Sequence, residues 1–210
     1  KYLKLNQKII IGATRKENNY YYNSLLFITN DYIDIFDKKI LVPFGEFVPF
    51  RNLISFMNII AGSMDFTTGD QSRNIQIDKE TNFIPVICYE IIFFWKLINK
   101  KNNYADFIVN ITNDSWFGNL IGPYQHLYLT KMRAAEFNKP LIRVSNNGIS
   151  AIFDKNGKII TSTQLNTKTK KNLSIKIING YSLILFHKIL NILIILFFIC
   201  HFYFVIIRNK

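Results

Sequence analysis

Two side chains in this 210-residue chain could carry group-transfer chemistry, those of Cys88 and Lys38. Cys88 closes the apolar run Ile84-Pro85-Val86-Ile87, and Tyr89-Glu90 and a helical pattern follow it. A nucleophile at a strand-to-helix turn is exposed on its outer side, and backbone N–H groups just after it can face a developing oxyanion. A thiol ordinarily ionises near pH ~8.5, so at neutral pH it needs a base or a cation beside it. Lys38 stands in Phe36-Asp37-Lys38-Lys39-Ile40-Leu41-Val42-Pro43-Phe44-Gly45-Glu46. The Pro and Gly argue for a shaped loop after a strand, closed by an acid. Residue type alone leaves other readings open, because most free cysteines are small buried hydrophobes and a lone lysine is ordinarily solvated. Trp116 and Phe117, in Asn113-Asp114-Ser115-Trp116-Phe117-Gly118, suit either the wall of an apolar ligand pocket or a loop pinned to the core. Asn146-Asn147-Gly148 reads as a turn set by backbone geometry.

The elements that must position these residues are short. Apolar, β-branched-rich runs predict strands at Ile9–Ala13, Ser24–Thr29, Tyr32–Phe36, Ile84–Cys88, Phe107–Thr112, Leu141–Ser145 and Ser150–Phe153. Asn30-Asp31 and Asp154-Lys155-Asn156-Gly157 are hairpin-type turns. Ile91–Lys100 and Tyr124–Asn138 read as helices, the second ended by Asn138-Lys139-Pro140. Strands mixed with helices, some strands apolar throughout, predict an α/β (α+β layered) domain over residues 1–180. Beyond Gly180, Ile189–Ile207 is almost wholly apolar, with Asn191 and His201 its clearly polar members. This predicts a transmembrane helix in a segment 181–210, and Cys200 inside it is expected to be inert. His187 and Lys188 at one edge and Arg208 and Lys210 at the other orient that helix only weakly.

Composition narrows the class. With 49% hydrophobic and 15% aromatic residues the chain can bury enough surface to offset its ordering entropy, which excludes disorder. Two cysteines make neither a disulfide framework nor a four-thiolate zinc site, and no metal site is expected. The net charge of +12 is spread along the chain, with one dense run at Lys168, Lys170 and Lys171. No zinc-finger spacing or RNP-like motif accompanies it, so nucleic acid is not expected as a partner. Anionic lipid headgroups are the better physical use of such charge.

Taken together the segments resemble the nitrilase superfamily and, within it, the apolipoprotein N-acyltransferases. The resemblance rests on Gly12-Ala13, Tyr22-Asn23-Ser24-Leu25, Leu41-Val42-Pro43-Phe44-Gly45-Glu46 with the upstream Lys38, Cys88-Tyr89-Glu90, and the Asn113–Gly118 run. It continues through Gly122-Pro123-Tyr124-Gln125-His126, Met132-Arg133-Ala134 and Arg143–Ser150, in family order. It implies a four-layer αββα sandwich with a Glu-Lys-Cys site. Cys88 would be the nucleophile and Lys38, favoured over Lys39 by its spacing to Glu46, the site lysine. Glu46, Tyr89 and Glu90 would support the site, with Trp116 and Phe117 near the acyl-chain entrance. Phe36 stands where the family usually has Tyr. The implied reaction moves a fatty acyl group from a phospholipid to Cys88 as a thioester, then to the α-amino group of an apolipoprotein's diacylglyceryl-cysteine. No metal or organic cofactor is required. The implied location is the bacterial inner membrane, with the catalytic domain on the periplasmic side.

The family's general-base Glu lies upstream of Gly12-Ala13, and no residue before Ile9 can provide it. With Lys1 in place of Met, the sequence reads as a C-terminal portion of a longer chain, its sandwich incomplete at the N-terminus and its own activity in doubt. Two rival functions remain at this level: a nitrilase-type amidase acting on a small amide, and an inactive membrane-tethered remnant.

Overall fold

The computed structural model describes residues 3, 4, 6–50, 65–99, 102–176 and 184–208, with side chains in the last helix described at 189–202 and 204. Strands β1 (Ile9–Glu17), β2 (Tyr20–Ile28) and β3 (Ile33–Asp37) form an antiparallel meander in that order. A second, six-stranded sheet runs β4 (Ile75–Gln76), β5 (Asn82–Ile87), β6 (Phe107–Thr112), β7 (Leu141–Ser145), β8 (Ala151–Phe153) and β9 (Ile159–Ser162). Its centre, β5-β6-β7, is parallel, and the outer pairings are antiparallel. Strands β5 and β6 are largely apolar because both their faces are covered, whereas β7 carries Arg143 and leaves Val144 exposed.

Those two faces define the layers. Leu25, Phe27 and Phe36 of the first sheet meet Ile75, Phe83, Ile87, Phe107 and Val109 of the second, forming the core between the sheets. On the far side, Ile84, Val86, Ile108 and Leu141 pack against Ile91, Leu97, Ala134 and Phe137 from helical segments. Each such side chain, fully buried, stabilises by about 1.5–3 kcal/mol relative to exposure. The fold is therefore a nitrilase-like α/β stack. Among the described residues, helices cover the outer face of the second sheet only.

Local chemistry explains where pattern and structure part. The β1–β2 hairpin extends four residues beyond its apolar run, pairing Thr14–Glu17 with Tyr20–Asn23, because Asn18 takes a left-handed turn conformation (φ 54°). The helix expected at Ile91–Lys100 does not form. A 3₁₀ turn at Cys88–Ile92 gives way at Phe93 (φ −88°, ψ 58°) to a single helical turn, α1 (Phe94–Leu97). The break falls among the bulky aromatics Phe93, Phe94 and Trp95, which lose rotamer freedom in a helix. The helix expected at Tyr124–Asn138 is α2 (Gly122–Phe137), with Pro123 in its first turn and Asn138 ending it left-handed.

The terminal helix α3 (Ile184–Arg208) forms, with exposed apolar side chains such as Ile195 and Phe197. Among the described residues, however, no helix is long and apolar enough to cross a membrane. This corrects the transmembrane expectation for 181–210. The boundary expected at Gly180 lies outside the described residues.

Candidate active site

The site is assembled from strand ends. Where β5 stops, Cys88 adopts φ 52°, the left-handed region, which a residue with a Cβ holds only when its surroundings over-determine it. Here they do. The Ile87 N–H donates to Glu90 Oε2 at 2.9 Å, folding the turn onto its own acid. Asn110 of β6 directs its Nδ2 at the carbonyls of Val86 (3.3 Å) and Cys88 (3.4 Å). Cys88 is thus presented at the edge of the sheet, partly exposed.

Lys38 follows β3 and is 1% exposed. Its N–H donates to the Asn23 carbonyl at 2.8 Å, and its Nζ reaches Glu46 Oε2 at 2.6 Å. The same Glu46 oxygen accepts the Val42 N–H at 2.8 Å, while Oε1 accepts Asn23 Nδ2 at 2.9 Å. Glu46 therefore folds the Leu41–Glu46 loop back over the lysine and neutralises a charge that would be costly to bury alone.

Lys38, Glu46, Cys88, Tyr89, Trp116 and Phe117 line one cavity of about 1350 Å³. Trp116, 77% exposed, stands at its mouth. Tyr89 packs against Phe117 with ring centroids 6.2 Å apart. Lys39 does not line the cavity and donates to the Asp70 carbonyl instead. Glu90 does not line it either. That side chain is wholly buried behind the turn, paired with Arg73 at 2.8 Å.

Sequence reasoning missed a second polar group beneath the turn. Arg143 of β7, 1% exposed, donates to Asp114 Oδ2 (2.5 Å), Asn110 Oδ1 (2.9 Å), Thr130 Oγ1 (3.1 Å) and the Ile149 carbonyl (3.2 Å). His126 of α2 sets its Nδ1 against Asp114 Oδ1 at 2.9 Å. Burial alone would push the Asp114 carboxyl up, but the His126 hydrogen bond and the Arg143 charge outweigh it and hold Asp114 at about 2. Burial, aided by the Arg143 charge, pushes the His126 imidazole down, so it stays neutral at neutral pH despite Asp114. The one signal in the sequence was a charged or amide residue inside an apolar strand, Arg143 in Leu141–Ser145 and Asn110 in Phe107–Thr112. Among the described residues no cluster of three or more His, Cys, Asp or Glu side chains is placed to hold a metal.

Residues 4–179 match the model of the carbon-nitrogen hydrolase family. The chain belongs to that family. It is 39% identical over 173 residues to an apolipoprotein N-acyltransferase of Vibrio vulnificus, covering 76% of this chain and 34% of that protein. It is 42% identical over 131 residues to an apolipoprotein N-acyltransferase of Rickettsia prowazekii, covering 62% and 26%. The carbon-nitrogen hydrolase chain described here thus spans about a third or less of the length of these curated relatives. Among solved structures, XC1258 of Xanthomonas campestris, a CN-hydrolase superfamily protein, superposes with a TM-score of 0.57 at 16% identity, covering 78% of this chain and 61% of that one. At that identity the likeness is one of fold.

Proposed function

We propose that this chain is the catalytic part of an apolipoprotein N-acyltransferase, with Cys88 as nucleophile and Lys38 as the site cation. The observation that carries the reading is the convergence of Cys88, Lys38 and Glu46 on one cavity in a chain about 40% identical to proteins of that name. In the first half-reaction Cys88 Sγ attacks the ester carbonyl of a phospholipid acyl chain. The C–O bond breaks, the lysophospholipid leaves as an alcohol and takes up the proton, and the acyl group remains as a thioester. In the second, the α-amino group of a diacylglyceryl-cysteine attacks the thioester, the amide forms and the thiol is restored.

Lys38, held by Glu46, and the N–H of Tyr89 stabilise the oxyanion of each tetrahedral intermediate. Trp116 and Phe117 flank the acyl chain at the cavity mouth. Glu90 acts through the backbone it holds. The resemblance adds a glutamate upstream of Gly12 as proton acceptor, and residues 1–11 contain no acidic side chain. Lipid substrates at the bacterial inner membrane, met on its periplasmic side, accord with the exposed apolar side chains of α3.

The test incubates the full-length protein with phospholipid carrying a labelled acyl chain. Hydroxylamine-sensitive label is expected on the wild type and absent from Cys88→Ala. Label that survives this substitution would remove Cys88 as the nucleophile, and ammonia released from small amides without acyl transfer to a lipoprotein peptide would favour an amidase.

A further inference from the structure

Arg143 is an expensive residue to place where it is. A guanidinium removed from water costs several kcal/mol and is tolerated only when its donors are satisfied. Leu141, two residues earlier on the same face and wholly buried, shows that this side of the strand accepts an apolar side chain. What the guanidinium does is orient Asn110. A side-chain amide has an accepting end and a donating end, and either can face a given neighbour. With Nη1 of Arg143 on Oδ1 at 2.9 Å, the NH₂ end of Asn110 must face the Cys88 turn, where it spans the carbonyls of Val86 and Cys88. The opposite orientation would set an oxygen against two carbonyls and an NH₂ against a cation.

The Cys88 carbonyl and the Tyr89 N–H belong to one planar peptide unit. A donor on that oxygen therefore fixes the direction of the N–H on the other side of the plane. We infer that Arg143 and Asn110 are positioning residues for acyl transfer, together setting the Cys88–Tyr89 peptide plane so that the Tyr89 N–H serves the oxyanion. The other contacts agree with this task. Asp114, Thr130 and the Ile149 carbonyl hold the guanidinium from three further segments, so its orientation does not depend on the turn it controls. This rests on Cys88 being the nucleophile, as proposed above, but not on the identity of the acyl acceptor.

The test compares two reactions of the same thiol in the full-length protein carrying Cys200→Ser. Acylation by a p-nitrophenyl ester passes through an oxyanion, whereas alkylation by iodoacetamide does not. Asn110→Asp keeps the pairing with Arg143 but cannot donate to the Cys88 carbonyl, and Arg143→Lys keeps the charge but loses the forked geometry. Removal of an oxyanion donor typically costs about 10²–10³-fold. Asn110→Asp is accordingly expected to slow acylation at least about tenfold while alkylation changes less than about threefold. Arg143→Lys should fall between it and wild type, and the double variant should be no slower than Asn110→Asp. Acylation and alkylation falling by the same factor, neither falling, or multiplying effects in the double variant would each overturn the assignment. A wild type that is alkylated at Cys88 but never acylated there would instead count against the proposed nucleophile.

Discussion

The carboxylate of Glu90 accepts the backbone N–H of Lys39 at 2.8 Å, although the two residues are 51 positions apart. The same oxygen accepts the Ile40 N–H at 3.1 Å, and the other oxygen accepts the Ile87 N–H at 2.9 Å. One buried side chain thus clamps the loop after Lys38 to the turn bearing Cys88. Arg73 balances its charge through both guanidinium nitrogens, at 2.9 and 2.8 Å.

Glu90→Gln should therefore loosen both halves of the site at once. The amide keeps the volume but leaves Arg73 without a counter-charge and turns one acceptor into a donor facing backbone N–H groups. Breaking a buried pair in this way typically costs about 3–5 kcal/mol. Urea denaturation is expected to show a loss of that size. Thioester formation should fall in the fraction that remains folded, and an unchanged midpoint with an unchanged acylation rate would contradict the clamp.

The Lys38–Glu46 pair separates stability from chemistry. Glu46→Gln leaves a nearly inaccessible ammonium unpaired and should destabilise towards the lower end of the same range, because Glu46 itself keeps some contact with water. Adding Lys38→Met removes the orphaned charge, so the double variant should regain most of the stability in urea denaturation. Its acylation should remain absent. A double variant that acylates at the wild-type rate would exclude Lys38 from the reaction.

Acid should act on the group beneath the turn in two stages. The His126 imidazole is held below its ordinary 6.5 in the folded protein, chiefly by burial and then by the Arg143 charge, so the unfolded chain binds the proton more readily. Stability is therefore full above about pH 6.5 and declines as the pH falls below it. Asp114, held at about 2 against 3.8, contributes stability that is present above 3.8 and lost as the pH falls towards 2, on the order of 2 kcal/mol. Melting temperatures recorded from pH 7.5 to 3 should show the first decline in the wild type. In His126→Gln the decline just below pH 6.5 should be absent; if it persists unchanged, another group is responsible.

How much of this was legible beforehand follows from what local pattern encodes. The strands β5 and β6 could be read because burial on both faces writes itself as a largely continuous apolar run. The Cys88 turn followed from the end of such a run, and α2 from its Pro123 start and its Asn138-Lys139-Pro140 end. The short strands β4 and β9 were not legible, since they are defined by pairing to a neighbour rather than by their own composition. Nor was the collapse of the helix expected at Ile91–Lys100, which breaks at the non-helical backbone of Phe93.

The residues alone determined that a thiol, a lysine and an acid lie at strand ends and loops, and that an apolar layered domain holds them. Only the tertiary structure decided that Lys38 rather than Lys39 lines the cavity, and that Glu90 stands behind it as a clamp. The same holds for Arg143, Asp114 and His126, which meet beneath Cys88 from β7, the Asp114–Phe117 turn and α2. A buried polar group must find its partners wherever sheet order and register place them. Those partners lie tens of residues away, beyond the reach of any local pattern.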